Sequence, residues 1–378
     1  MDFITNIRYS AHIYWTLNMA ELGERELLEY VVEAINGLPD GHAMLNEIET
    51  QSVERHRLDG IIEAEIAGCP LVLLVEARQN AFPRDVRQAI WQLRNHQAHF
   101  RAETREVLPF LVSNAVSTGA RDVLRSEGVG YADRGGSLFI PAHGAFVLID
   151  RSPLSKARKV FDSIFQGSKA RVLEAVFAER DNWLSVGAVA SQADVSPATA
   201  SATLSEMERR EWVEVHGRGP AKLRRLSDAT GMIDAWSDYV QGQKPSPTQL
   251  FYSPLFDTRH LMHGLDRACH AHGIPYSVTG EAAAQAYAPY MTSISKIRCR
   301  MVQSMAQHAA LDEIDARPVD EGWNLAIIQV RTEMEARGSL RIDDISYASP
   351  LRVYLDLLQL PGRAKDLAMH LRTERLRV

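Results

Sequence analysis

The stretch LVLLVEARQN, Leu71 to Asn80, constrains the fold most. Six of its first seven residues are apolar, as in a strand covered on both faces by other elements. The run ends in an acid, Glu76, and a base, Arg78, two positions apart. Side chains alternate along a strand, so these two share one face. Charges at the end of a buried strand need a partner or a task.

The surrounding text changes period in a way that predicts an α/β domain over residues 1–150. Glu21 to Ile35 places Leu27, Leu28, Val31, Val32 and Ile35 on one helical face, and NGLPDGH then breaks it. Three strand-like runs follow, MLNEIETQSVE, LDGIIEAEIAG and PLVLLVEAR. A second amphipathic helix, RDVRQAIWQLRNHQAHF, leads to the strand LPFLVSN, the helix STGARDVLRSEG and the strand VGYADRGGSLFIP. That order predicts a mixed sheet with helices against it.

Residues 151–230 read differently. SKARVLEAVFAE, SVGAVASQAD and SPATASATLSEMERRE are three short helices, and WVEVHGRGPAKLRRLS is a hairpin around a Gly-Pro turn. Three helices and a hairpin in so short a span predict a winged helix-turn-helix. Ser196 and Pro197 are the favoured N-cap and first residue of the third helix. With Ala200, Leu204 and Met207 turned inward, the small or hydroxyl-bearing Ala198, Thr199, Ser201, Ala202 and Ser205 are left near the outer face. The whole chain carries 42 basic and 48 acidic side chains, a net charge of −6, so a surface for a polyanion has to be local. Residues 209 to 225 offer one, with Arg209, Arg210, Arg218, Lys222, Arg224 and Arg225 against Glu211 and Glu214. Double-stranded DNA is therefore the expected partner. The expected contacts run from Ser196, Pro197 and the five outward residues to Arg209, Arg210, Arg218, Lys222 and Arg224. The first turns of the third helix carry no arginine for guanine readout, which points to help from a second copy, a homodimer.

After the turn-rich GQKPSPTQ, residues 231–378 resume α/β character as a small C-terminal domain. TRHLMHGLDRACHAHG reads as a helix, IPYSVTG as a strand, EAAAQAYAPYM as a helix, WNLAIIQVRT as a buried strand, and PLRVYLDLLQ with RAKDLAMHLRTERL as a closing helical pair. His260, His263, Cys269, His270 and His272 share one segment, but they split into pairs more than a turn apart, and no metal site is expected. TGEAAA could bring a helix N-terminus to a phosphate, although Glu281 opposes an anion there. Cys69, Cys269 and Cys299 are too few and scattered for a disulfide framework. No run of about eighteen apolar residues suggests a membrane span, so the cytoplasm is the expected compartment.

Asp59, then Glu76-Ala77-Arg78 on the next strand, then a helix bearing Gln88 and Gln92, resembles the PD-(D/E)xK restriction-endonuclease-like fold. The resemblance implies that Asp59 and Glu76 hold Mg²⁺, that Arg78 stands where a Lys assists phosphodiester cleavage, and that Glu26 or Glu29 could add a fourth group. Arginine stays charged and cannot serve as a general base, so no enzymatic activity and no cofactor are expected. Mg²⁺ enters only under the alternative of a nuclease targeted by the winged helix, for which Asp59, Glu76, Arg78 and Gln88 are the catalytic candidates. The order of this domain, a Tyr131-x-Asp133-x-x-Gly136 strand, the winged helix, YSVTGEAAAQAYAPY and SPLRVYLDLLQLPGRAKDLAMHL resembles the AbiEi-like transcriptional regulators. It implies a bacterial DNA-binding antitoxin of a type IV toxin-antitoxin system, one that represses its own operon and counters a toxin without a tight complex.

Overall fold

In the computed structural model, the described residues are 23–46, 58–100, 105–151, 161–255, 257–290 and 293–378. The chain is α/β and divides into two compact units, Met1–Ser227 and Asp228–Val378. The blocks expected as 1–150 and 151–230 thus fall within a single unit, for a reason that lies in their ion pairs, described below.

The first unit holds a seven-stranded sheet in the order β1 (Gly41–Asn46), β2 (Gly60–Ile66), β3 (Cys69–Ala81), β4 (Glu106–Val116), β5 (Gly130–Asp133), β6 (Leu138–Pro141) and β7 (Phe146–Ile149). The first three strands form an antiparallel meander, β3, β4 and β5 run parallel, and β6 and β7 return antiparallel. Of the run Met44 to Glu54, only the beginning falls within the described residues, where it belongs to β1. Ala67 and Gly68, both at positive φ (50° and 78°), make the two-residue turn between β2 and β3. That is the geometry whose twist suits a tight hairpin.

Alternation along β3 serves both faces of the sheet. Leu71, Leu73, Val75 and Ala77 pack with Leu27, Leu28, Val31 and Ile35 of α1 (23–36). Val72 and Leu74 pack with Val86, Ala89, Ile90 and Leu93 of α2 (Pro83–His99) and with Ala120 and Leu124 of α3 (Thr118–Ser126). The sequence read the segment from Val129 to Pro141 as one strand, but it is a hairpin. Arg121 donates to the buried Asp133 carboxylate at 2.7 Å and Arg125 to Tyr131 Oη at 2.7 Å, which fixes the expected Tyr-x-Asp motif at its base.

The same unit continues with α4 (Gly167–Ala178), α5 (Val186–Ala193), α6 (Pro197–Arg209), β8 (Val213–His216) and β9 (Leu223–Leu226). Leu184, outside both strands, adds an isolated antiparallel bridge to Arg224 of β9.

In the second unit a seven-stranded mixed sheet has the order β13-β10-β14-β12-β11-β16-β15. Its strands are β10 (Thr248–Tyr252), β11 (Tyr276–Thr279), β12 (Ile297–Val302), β13 (Arg317–Pro318), β14 (Leu325–Val330), β15 (Leu340–Ile342) and β16 (Ile345–Tyr347). Its helices are α7 (Ala229–Gln241), α8 (Thr258–Ala271), α9 (Gly280–Tyr287), α10 (Met305–Glu313), α11 (Glu333–Ala336), α12 (Pro350–Leu358) and α13 (Ala364–Leu371). Among the described residues no helix is long and apolar enough to cross a membrane.

Candidate functional site

Two places in the first unit concentrate charge. The first is the end of β3. Glu76 and Arg78 follow Val72 and Leu74 in parity and so continue the face toward α2. The register that pairs Gly60 with Val75 brings Asp59 alongside, and its Oδ2 accepts the Ala77 N–H at 2.7 Å. Arg78 Nη2 lies 2.6 Å from Glu76 Oε1 and donates to Gln92 Oε1 at 3.1 Å. Its Nη1 donates to the Ala77 carbonyl at 2.8 Å and lies 3.9 Å from Asp59 Oδ2.

Glu76 is only 6% exposed. Burial, and after it the negative charge of Asp59, push its carboxyl up to about 7 despite the opposing pull of Arg78. Glu24 of α1 adds a weaker repulsion. This corrects the expected fourth acid, because Glu26 pairs with Arg134 at 2.9 Å and Glu29 with Arg25 at 3.0 Å. Gln88 is exposed, and Gln92, one turn further on, is the α2 amide that reaches Arg78.

Mg²⁺ demands near-octahedral oxygen ligation. Here a guanidinium already bridges the two carboxylates it would need, so the residues as arranged do not fit the ion. Among the described residues no group of three or more His, Cys, Asp or Glu could hold a metal. Chemically, the cluster stores a proton near neutrality and holds charge; Arg78 has no proton to exchange.

The second place is the three-helix and hairpin element. Ser196 Oγ accepts the Thr199 N–H at 3.1 Å, capping α6 behind Pro197. Ala200, Thr203, Leu204 and Met207 are buried, and the Thr203 hydroxyl turns back to the Thr199 carbonyl at 2.8 Å. Ser196, Pro197, Ala198, Ala202 and Ser205 are exposed, with Thr199 and Ser201 half-buried beside them. At the hairpin tip Gly217 (φ 82°) and Gly219 (φ 59°) flank an exposed Arg218, which has no ion-pair partner among the described residues. A Cβ on Gly217 would stand 2.9 Å from the Ala221 carbonyl oxygen, so the tip requires glycine there.

The basic residues at 209–225 require revision as a DNA-facing patch. Lys222 and Arg224 reach Glu208 at 2.7 and 2.8 Å, and the Arg224 side chain is 7% exposed. Arg209 pairs with Asp85 of α2 at 2.6 Å and lies 4.3 Å over the Phe82 ring. Arg210 donates to Glu206 at 2.8 Å and to the Phe161 carbonyl at 2.6 Å, with Trp212 4.9 Å away. The cause is that Glu206 and Glu208 turn inward, and that Glu208 also meets Arg84 of α2 at 3.3 Å while Glu211, at the surface, meets Arg87 at 2.8 Å. Burial alone would raise the Glu208 carboxyl, but hydrogen bonds from Lys222 and Arg224 override it and hold the group below the ordinary carboxylate range. These links tie α6 to α2, which is why the first two blocks form a single unit.

Sequence reading missed the outer face of the hairpin. Trp183, 38% exposed, lies 5.6 Å from the His216 ring and 4.8 Å from the Arg225 guanidinium. A tryptophan directly after the polar run Arg180-Asp181-Asn182 was the available signal.

In the second unit the histidine segment does not converge. His260 pairs with Asp257 at 3.0 Å, His272 with Glu313 at 3.2 Å, and Cys269 is fully buried. At the TGEAAA segment, Glu281 pairs with Arg298 and Thr279 Oγ1 donates to Asp356 at 2.6 Å. No family model, curated protein or solved structure matches the chain.

Proposed function

We propose that this chain is a DNA-binding transcriptional regulator whose residues 161–227 act as a winged helix-turn-helix. The observation that carries the reading is the Ser196-capped start of α6, solvent-facing and lined with side chains small enough to approach base edges. Arg218 at the hairpin tip supplies the backbone contact, where a guanidinium displaces counterions. Recognition is thus concentrated at a helix tip and a wing tip, and the remaining basic residues hold the domain together. Weak direct readout by small side chains favours two copies on one operator.

The order α1, β1 to β3, α2, β4, with Asp59 just before β2 and Glu76 on β3, supports reading the first sheet as restriction-endonuclease-like, and Arg78 supports reading it as silent. The order of motifs that resembles AbiEi-like regulators is what suggests an antitoxin that represses its own operon. The runner-up, a divalent-metal nuclease, rests on the neighbouring carboxylates of Asp59 and Glu76 and requires the Arg78 guanidinium to leave them; plasmid cleavage with Mg²⁺ or Mn²⁺, abolished by Glu76→Ala, would establish it instead.

A pulldown of genomic fragments with the purified chain, followed by anisotropy on the enriched duplex, tests the main reading. A sequence-selective, salt-sensitive complex lost in Ala202→Glu is expected. Failure of the wild-type chain to bind any fragment at low salt would remove it.

A further inference from the structure

The second unit contains a cleft of about 280 Å³ between the end of α8 and the segment joining α11 to β15. One wall is Cys269, Ile274 and Pro275; the other carries Arg337 and Arg341. Between them Tyr276 Oη donates to Asp266 Oδ1 at 2.6 Å and accepts the Ser346 N–H at 3.2 Å, a fixed polar floor. The Asp266 side chain, 15% exposed, also accepts from Arg341 Nη2 at 3.2 Å.

The two arginines differ. Arg341 is oriented by Asp266 and by the Asp344 carbonyl. Arg337 caps α11 through its backbone N–H to the Glu333 carbonyl at 2.9 Å, and its guanidinium has no hydrogen-bond or ion-pair partner among the described residues. Asp266 is already committed to Tyr276 and Arg341, so no acid pairs with Arg337 among the described residues. Gly338 keeps this wall against β16, since a Cβ there would stand 2.1 Å from Ser346 Oγ and 2.9 Å from the Tyr347 carbonyl oxygen.

We propose that this cleft binds a small phosphorylated molecule, its phosphate gripped by Arg337 and Arg341 and its carbon part laid against Ile274 and Pro275. Paired guanidinium forks match the oxygens and the double charge of a phosphate ester better than a single carboxylate. The volume lies just below the usual range for ligand pockets, the scale of a sugar phosphate. This inference is independent of the DNA-binding reading.

Titration calorimetry on the full chain with glucose 6-phosphate, inorganic phosphate, succinate and glucose tests it. The two phosphates bind, and glucose and succinate bind at least about tenfold more weakly. Arg337→Gln loses no partner within the fold, so it keeps its melting temperature and weakens glucose 6-phosphate binding by about tenfold or more. Arg341→Lys retains the charge without the fork and falls between. Absence of binding by both phosphates at millimolar concentration, equal binding of glucose or succinate, or unchanged affinity in Arg337→Gln overturns the assignment.

Discussion

The end of β3 and the base of the hairpin are built from the same residue types with opposite balance. At the strand end Asp59 and Glu76, with Glu24 nearby, face Arg78, and the buried Glu76 carboxyl is pushed up to about 7. At the hairpin base Glu208 faces Arg84, Lys222 and Arg224, and its carboxyl is held low. A cation-poor cluster keeps a proton; a cation-rich one locks elements together. The difference teaches that a count of basic residues is not a map of a DNA surface, because three of the six between 209 and 225 meet Glu208 or Asp85 inside the unit.

The largest effect that sharpens this contrast is expected from Glu208→Ala. It strands the buried Arg224 without its carboxylate and costs about 3–5 kcal/mol by urea denaturation. A loss below about 1 kcal/mol, the range of a surface pair, breaks the clamp.

Next comes pH. Because the folded-state value of Glu76 is raised, its protonated form favours the fold. That contribution is fully present below the ordinary carboxylate range and is lost as pH rises through about 7, on the order of 3 kcal/mol at most. Glu208, with its value lowered, contributes above the ordinary range and loses it as pH falls. Denaturation curves from about pH 2 to 8 in wild type and Glu76→Gln separate the two windows: the variant flattens the neutral slope and leaves the acid one. A wild-type slope that survives in Glu76→Gln contradicts the assignment.

A smaller change is expected from Arg78→Lys, which retains the charge and gives up the fork shared by Glu76, Gln92 and the Ala77 carbonyl. The expected loss is about 1–2 kcal/mol. Equal stability of the lysine variant would mean that the fork contributes nothing beyond its charge. The smallest stability effect belongs to Arg218→Ala, within about 0.5 kcal/mol, since the residue is exposed and unpaired among the described residues.

What could be read in the sequence was whatever depends on neighbours along the chain. The apolar run at 71–75 became a strand buried on both faces, and Ser196-Pro197 opened α6 as capping chemistry requires. Pairings across 124 residues, such as Arg209 with Asp85 and Arg84 with Glu208, leave no local trace. They decide which charges face solvent. Strand β12 escaped for a related reason: Arg298 and Arg300 look unsuited to a sheet interior until Glu281 and Asp356 are brought beside them. Glu24 was passed over at the strand-end site although helical spacing puts it three and four residues before Leu27 and Leu28, on the inward face that Glu26 does not share.

The most direct test is a salt titration of duplex binding by the full chain, comparing wild type with Arg218→Ala, Ala202→Glu and Lys222→Ala. Ala202→Glu should abolish the complex, Arg218→Ala should reduce the slope of log affinity against log salt by about 0.9, and Lys222→Ala should leave that slope unchanged. Wild-type slope in Arg218→Ala together with a shallower one in Lys222→Ala would contradict the assignment of the helix tip and wing tip as the DNA-reading surface.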